Sequence, residues 1–554
     1  MSLGSSDPSN KVSPIAHPWC DPQNGVCEPK SVDEWLIIRA SKRIRDDPNW
    51  KLKFRDPEYI SERKAEFVSN INDSQEPWMW EVHQLHAKYL RNIDAIFEYV
   101  QKELEWYEAK EQELVESGFV HSINERVLYS DIAISTTTQS NLRVAIQNFE
   151  VGTENICHSI DDEVVVNIID PCMYPVVYGQ TQELRDGKLS TIQFNEKIYT
   201  IKNNVPEYAI SKHFQCLPTK FKYDESAGRF ELSSYINNIH PGKYAEIYTL
   251  ITTIFNNSLP GLLQCLSCCI SPEYLRVNIP VAENAYGQEY LDMIHLLEDS
   301  DLEASDGEKI DEELELKKHK WIKDSPPKWN GSPSFQVFDA KRFEDLKVIT
   351  KLVNIELTPE NPQYVGGSWH VEGAMNEDIV ATITYHYDSE NVTNQKLSFR
   401  ESFKDPKFHL DDAYYCRYYY GLSEVDQTFK YSGSEDSPLG RVLIFPNVFQ
   451  HKLDPFELKD KSKSGHRKIM YLFVVDPYNN IIKTTDSVPP QQDEWAHRLE
   501  SKHFIHGDVN NTNMTYEEAK KFLDNILAER KTMNDPKAGR GESSTLREFW
   551  LWDY

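Results

Sequence analysis

Five runs in the C-terminal half restrict the fold more than any other feature of this chain: "LKVITKLVNIELTPENP", "NEDIVATITYHYD", "NQKLSFRESF", "GRVLIFPNVFQH" and "HRKIMYLFVVDPY". Each is rich in β-branched and aromatic residues and is bounded by Pro, Gly, Asn or Asp, the pattern of short strands between turns. No helix-length run separates them, so the crossover connections that a parallel sheet requires are missing. The expected architecture is antiparallel: a double-sheet jelly roll (double-stranded β-helix) of about eight strands.

Upstream the texture is helical and mixed, which makes the whole chain α+β. Helical spacing begins at "SVDEWLIIRASKRI". The longest helix is expected over about 77–117, with Val82, Leu85, Tyr89, Ile93, Ile96, Val100, Leu104 and Tyr107 as its core stripe. His83 and His86 share a face of it without an acidic partner, and read as solvent-side residues. Short strand-like pieces fill 130–240, and "KYAEIYTLITTIFNNSLPGLLQCLSCCI" returns to helical spacing. Five segments follow: a mobile tail (1–30), a helical and α+β region covering the barrel (31–294), an acidic insert or linker (295–330), the jelly-roll core (331–495), and a C-terminal helix with an aromatic tail (496–554). The closing "REFWLWDY" is too aromatic for a solvated end and is expected to dock on its own domain.

Charge and cysteine content narrow the function. Lys plus Arg total 60 against 88 Asp plus Glu, a net charge of −28, which repels phosphate backbones and anionic lipid and sets nucleic-acid and membrane partners aside. No signal-peptide core and no run of about 18 apolar residues is present, and nine scattered cysteines do not make a secreted disulfide framework. The expected location is the cytoplasm, with the nucleus also open. Cys265, Cys268 and Cys269 have C-x-x-C spacing but sit in an apolar helical run, where buried thiols are expected.

The chemistry centres on "GGSWHVEGAMNEDIVATITYHYDSE". On an extended segment His370 and Glu372 face the same way while Val371 faces the other. A divalent metal needs another ligand, and His451 ends an apolar strand in "VLIFPNVFQH". Two histidines and a carboxylate with open positions is the donor set of non-haem Fe(II) oxygenases. Such an enzyme needs a two-electron co-substrate. Arg467, on the following strand, is suited to clasp the far carboxylate of 2-oxoglutarate through two parallel hydrogen bonds. His386 with Asp388 and His409 with Asp411 are rival H-x-D pairs; the glycines at 366, 367 and 373 favour the first pair. Tyr385, Thr384, Lys351 and Asn354 are candidates to touch co-substrate or substrate, and Arg400 is a candidate to hold an anionic group. Tyr235, Asn237 and Asn238 read equally as a turn or as substrate contacts.

The same stretches, with "DPCMYPVVYG", "SKHFQCLPTKF", "SSYINNIHP" and "VPPQQ", resemble the signature blocks of a mainly fungal domain-of-unknown-function family, number four-two-four-six, over roughly 35–495. The resemblance implies a fold similar to the Fe(II)/2-oxoglutarate oxygenases. Its His-x-Glu motif falls on His370 and Glu372, its distal histidine on His451 and its arginine on Arg467. Glu372 stands where Asp is more usual, and Ile469 where serine is often seen, which leaves the co-substrate fewer hydrogen bonds. The expected activity is hydroxylation or demethylation of a small polar substrate, with a protein side chain second. A metal-binding jelly roll that does not use 2-oxoglutarate and a non-catalytic scaffold are the alternatives.

Overall fold

The computed structural model describes residues 13–19, 26–73, 92–152, 157–158, 163–197, 205–280, 317, 327–406, 413–422, 425–427, 429–495, 514–534 and 548–550. Helix α1 (Val32–Arg45) starts at Ser31, whose hydroxyl accepts from the Glu34 amide, and α2 (Ile93–Glu113) starts at Asn92, which caps Ala95 in the same way. The two share a core of Leu36, Ile37, Val100 and Leu104. The first half of the expected 77–117 helix, with His83 and His86, lies outside the described residues, as does nearly all of the acidic 295–330 stretch.

Strands β1 (Val120–His121), β2 (Leu128–Ser130), β3 (Cys157–His158), β4 (Val165–Ile169), β5 (Thr219–Asp224), β6 (Arg229–Leu232), β7 (Leu346–Leu357), β8 (Ile379–Glu390), β9 (Lys396–Ser402), β10 (Phe429–Asp436), β11 (Val442–Pro446), β12 (Phe449–Leu453) and β13 (Gly465–Val475) build two sheets. The larger runs β1-β2-β11-β8-β13-β7-β4-β3, with β5 also on β7 and β6 outside it; the smaller runs β10-β9-β12. Every pairing within them is antiparallel, as the strand pattern requires. The larger sheet crosses the boundary expected at residue 331, because β1 to β6 precede it.

Alternation divides the larger sheet into two faces. Ala381, Ile383, Tyr385 and Tyr387 of β8 and Met470, Leu472 and Val474 of β13 pack with helices α3 (Thr136–Gly152) and α4 (Ala245–Cys269). The opposite face meets the smaller sheet across a second core, to which Val353, Ile355, Leu443, Phe445 and Ile469 contribute from one side and Leu397, Phe399, Phe449 and Leu453 from the other. Cys265 and Cys268 are buried thiols of α4, as expected, and among the described residues no helix is long and apolar enough to cross a membrane.

The described residues near the two ends are held more firmly than a tail reading allows. Ile15, Trp19 and Cys27 are buried, and the Trp19 indole donates to the Gly373 carbonyl at 3.2 Å. An indole with that much apolar surface gains more by burial than a mobile tail permits, so the expectation for 1–30 is corrected at these positions. Helix α5 (Tyr516–Asn534) packs Leu523 and Ile526 against Phe473 and Val475, and the short strand Glu548–Trp550 pairs with Val425–Gln427 of the same chain.

Gly261 marks the closest approach of α4 to the sheet: a Cβ there would lie 2.7 Å from Phe119 and 2.9 Å from Ile444. Gly261→Val is expected to cost about 2 kcal/mol through overpacking, read as a lower denaturation midpoint. An unchanged midpoint would mean that α4 can shift off the sheet without loss.

Candidate metal centre

His370 and His451 are brought side by side by a two-way backbone bridge, His370 N to His451 O at 3.1 Å and His451 N to His370 O at 3.0 Å. Their ring centroids are 4.5 Å apart. Glu372 Oε1 lies 3.5 Å from His370 Nε2 and 3.4 Å from His451 Nε2. The three ligand-capable atoms all fall within 4.8 Å of one another, close enough to share one ion. Exposure falls from 35% at the His370 side chain to 17% at Glu372 and 3% at His451, so the cluster opens on one side only.

Local interactions hold each donor. The Ser368 carbonyl accepts from His370 Nδ1 at 2.8 Å, which puts the proton there and leaves the Nε2 lone pair toward Glu372. His451 packs against Phe445, 4.7 Å between centroids. Gly373 turns the chain in the left-handed region (φ +72°), where a side chain would also strike Ile379 at 2.9 Å. Val371, between the two ligands, is buried with Trp19 and Ala374.

The three groups of the cluster shift one another's titration. Burial works to raise the Glu372 carboxyl, but the two imidazoles override it and hold it well below the carboxylate range. Burial opposes charge on His370, yet Glu372 and the Ser368 carbonyl win and raise it. His451 is lowered by burial and by its neighbour His370.

Asn447 was not singled out in the sequence, where it reads as a turn residue between two apolar strands. Its side chain accepts from the Glu372 amide (2.8 Å) and donates to the carbonyls of Glu372 and Ile379 (both 2.9 Å). One amide therefore clamps the backbone of the acidic ligand on both sides. An Asn in the β-turn before the distal histidine is the only signal that could have pointed to it.

Arg467 is completely buried on the inner face of β13. Its Nη2 donates to His386 Nδ1 at 2.8 Å, while Nε and Nη1 have no partner, and among the described residues no carboxylate pairs with it. Burial draws its pKa down to about 10, so it stays charged at neutral pH. His386 is held well below the usual imidazole range by burial and by Arg467, and accepts as a neutral ring. Tyr471, also inward on β13, is raised to about 12 by burial and feels the opposite charges of Arg467 and Glu372.

Several sequence candidates stand elsewhere. His386 is no rival metal ligand: it is committed to Arg467, and a register shift beyond it sends Asp388 to Arg143 (2.9 Å) and His466 (3.0 Å). His409 and Asp411 lie outside the described residues. Tyr385 is corrected, since it points into the core beneath α4, on the face of β8 opposite to His386. Arg400 is corrected too: it pairs with Gln450 (2.5 Å) on the outer face of the smaller sheet, stacked between Trp369 (4.7 Å) and Phe429 (4.3 Å), while its neighbour in the ladder, Phe399, faces inward opposite His451. Asn354 is taken by Glu150 of α3, whereas Thr384 lies beside His386 and Lys351 lies over the Tyr471 ring. Tyr235, Asn237 and Asn238 bond to the Val488, Met173 and Asp170 carbonyls, which makes them turn supports.

Two antiparallel sheets with a His-Glu-His cluster at their rim and a buried arginine between them define a β-sandwich with a candidate metal site. The chain belongs to the family described as Protein of unknown function (DUF4246), which it matches over residues 94–499. No curated protein matches it significantly. Solved structures that it resembles include the Fe(II)/α-ketoglutarate-dependent dioxygenase TqaL (9% identity over 71% of this chain and 94% of that one, TM-score 0.29) and IDO from Bacillus thuringiensis (11%, 67% and 95%, TM-score 0.21). A bsmA homologue from Methylobium petroleophilum PM1 is 12% identical over 66% of this chain and 91% of its own, TM-score 0.18. With scores this low, the functional reading rests on the side chains.

Asn447→Ala is expected to weaken divalent-metal binding about 10- to 100-fold with the fold intact, as loss of a ligand-orienting partner does. Titration with Co(II) and far-UV circular dichroism would measure the two effects separately. Protons compete with metal for the imidazoles, and since His370 is held above its ordinary value, that competition starts at higher pH than for a free imidazole. Apparent metal affinity is therefore expected to fall on acidification through the histidine range, and a flat profile from pH 8 to pH 5.5 would count against histidine ligation.

Proposed function

We propose that this chain is an Fe(II)- and 2-oxoglutarate-dependent oxygenase built on a double-stranded β-helix. The observation that carries the reading is the pairing of two features on one inner surface: a two-histidine, one-carboxylate cluster, and a fully buried arginine with two unsatisfied nitrogens and, among the described residues, no carboxylate of its own. A buried guanidinium left so is costly unless an anion completes it. The donor set fits Fe(II), and the arginine fits the far carboxylate of 2-oxoglutarate.

Iron held by His370, Glu372 and His451 supplies, with O2 and 2-oxoglutarate, a two-electron oxidation that releases succinate and CO2. The chain's own contribution is positional. Asn447 and Gly373 fix the acidic ligand, Ser368 fixes the tautomer of His370, and neutral His386 orients Arg467 without cancelling its charge. Ile469 offers the co-substrate no hydrogen bond, so inward hydroxyls such as those of Thr382, Thr384 and Tyr471 are left to do so. The substrate we favour is a small polar molecule undergoing hydroxylation or demethylation, with the half-buried Lys351 on the same wall to meet it.

Arg467→Lys keeps the charge but not the paired hydrogen bonds, each worth about 1.5–3 kcal/mol when charge-assisted. It is expected to weaken 2-oxoglutarate binding to the Fe(II)-loaded protein by about 10- to 100-fold, read from the metal-to-ligand charge-transfer band under anaerobic conditions. A band of unchanged affinity in the variant would sink the assignment. Succinate release that equals the Glu372→Ala background under every substrate mixture would favour a binding protein over an enzyme.

A further inference from the structure

Away from the metal centre, Cys172 and Cys216 place their sulfurs 3.1 Å apart, although they are 44 residues apart in the chain. Both are buried, Cys172 in the turn after β4 and Cys216 in the extended segment before β5. Arg530, from α5, brings Nη2 to 3.1 Å from Cys216 Sγ and to 3.3 Å from Glu377 Oε1. Glu377 in turn accepts from the Cys216 amide at 2.8 Å and from the Ala374 amide at 2.7 Å, two residues beyond the acidic metal ligand. The pair is thus one hydrogen-bonded step from the loop that carries Glu372.

We propose that Cys172 and Cys216 are a redox pair that peroxide closes into a disulfide, cross-linking the turn after β4 to the segment before β5 directly behind the metal-ligand loop. Closing the bond requires the sulfurs to approach from 3.1 Å to about 2.05 Å, a shift of about half an ångström each. The Cys216 thiolate, facing the Arg530 guanidinium, attacks one oxygen of hydrogen peroxide; the O–O bond breaks, a sulfenic acid forms, and the departing hydroxide takes a proton to leave as water. The Cys172 sulfur then attacks the sulfenic sulfur, the S–S bond forms, the S–O bond breaks, and the thiol proton leaves with the second water. The two thiols lose two electrons and two protons, and one peroxide becomes two waters. Neighbouring Cys172 and burial hold the Cys216 thiol above its ordinary value, with Arg530 opposing them, so the first step is slow and the second is favoured by proximity.

This pair is independent of the iron reading, and its test needs no metal. The full-length chain, with a chelator present to exclude iron-driven chemistry, is treated with hydrogen peroxide, denatured in the presence of an alkylating reagent, digested and mapped by mass spectrometry. The expected result is a Cys172–Cys216 cross-linked peptide, the other cysteines alkylated, and a thermal midpoint several degrees higher that a thiol reductant reverses. Cys172→Ser is expected to stop at a Cys216 sulfenic acid that a 1,3-dione reagent captures, and Arg530→Ala to slow cross-linking about tenfold at neutral pH. Both thiols still alkylated after oxidation, sulfinic acid at Cys216 in the intact chain, or a bond between other cysteines would each overturn the proposal.

Discussion

The guanidinium of Arg467, fully buried and, among the described residues, given no counter-ion, is the constraint to which the interior of the sandwich is fitted. Uncompensated burial of a charge costs several kcal/mol even after relaxation, and its neighbours offset that cost without removing it. His386 gives one neutral acceptor at 2.8 Å and Phe456 an aromatic ring at 5.9 Å. Glu372, the acid that shares an electrostatic neighbour with Arg467 in Tyr471, is claimed by two imidazoles instead. The charge of Glu372 is therefore taken up by the two histidines rather than by Arg467.

That pairing depends on the rim being stiff. The His370–His451 bridge adds one more rung beyond the smaller sheet, so the two imidazoles are set by backbone hydrogen bonds rather than by flexible side chains. Asn447 does the same for Glu372 from the neighbouring turn, and Trp19 caps the Gly373 carbonyl from the N-terminal segment. The three side chains of the cluster are therefore positioned by the fold itself, with little conformational freedom left to them.

What was legible in the sequence follows from what period-2 alternation can say. Strand pattern announced the antiparallel sheets, and the i, i+2 spacing put His370 and Glu372 on one side; both are found. Alternation gives relative faces only, so Tyr385 was assigned to the wrong wall: it follows Ile383 toward the helices, whereas Thr384 and His386 turn inward. Arg400 was misjudged for the same reason: it alternates with Phe399, which faces inward beside His451, and so falls on the outer face of the smaller sheet. Asn447 and the cysteine pair escaped because their meaning lies in partners 75 and 44 residues away. The burial of Trp19 escaped because a short polar segment with one large aromatic has no periodicity to read.

The upstream half is part of the same body rather than a cover laid over it. Strands β4 and β5 pair directly with β7, and α4 seals the outer face of β8 and β11. The turn after β4 is knitted from both directions: Asn237 and Asn238 reach its carbonyls from one segment, and Gln491 reaches Tyr174 and Pro175 from another. A chain cut before residue 331 would expose Ala381, Ile383, Tyr385, Tyr387, Met470 and Leu472 together and leave β7 with an open edge, the two conditions that favour aggregation over folding. The inner wall tolerates a buried Arg467 and a polar His-Glu-His rim because the outer wall, the upstream strands and their turns supply the apolar burial that those polar groups do not.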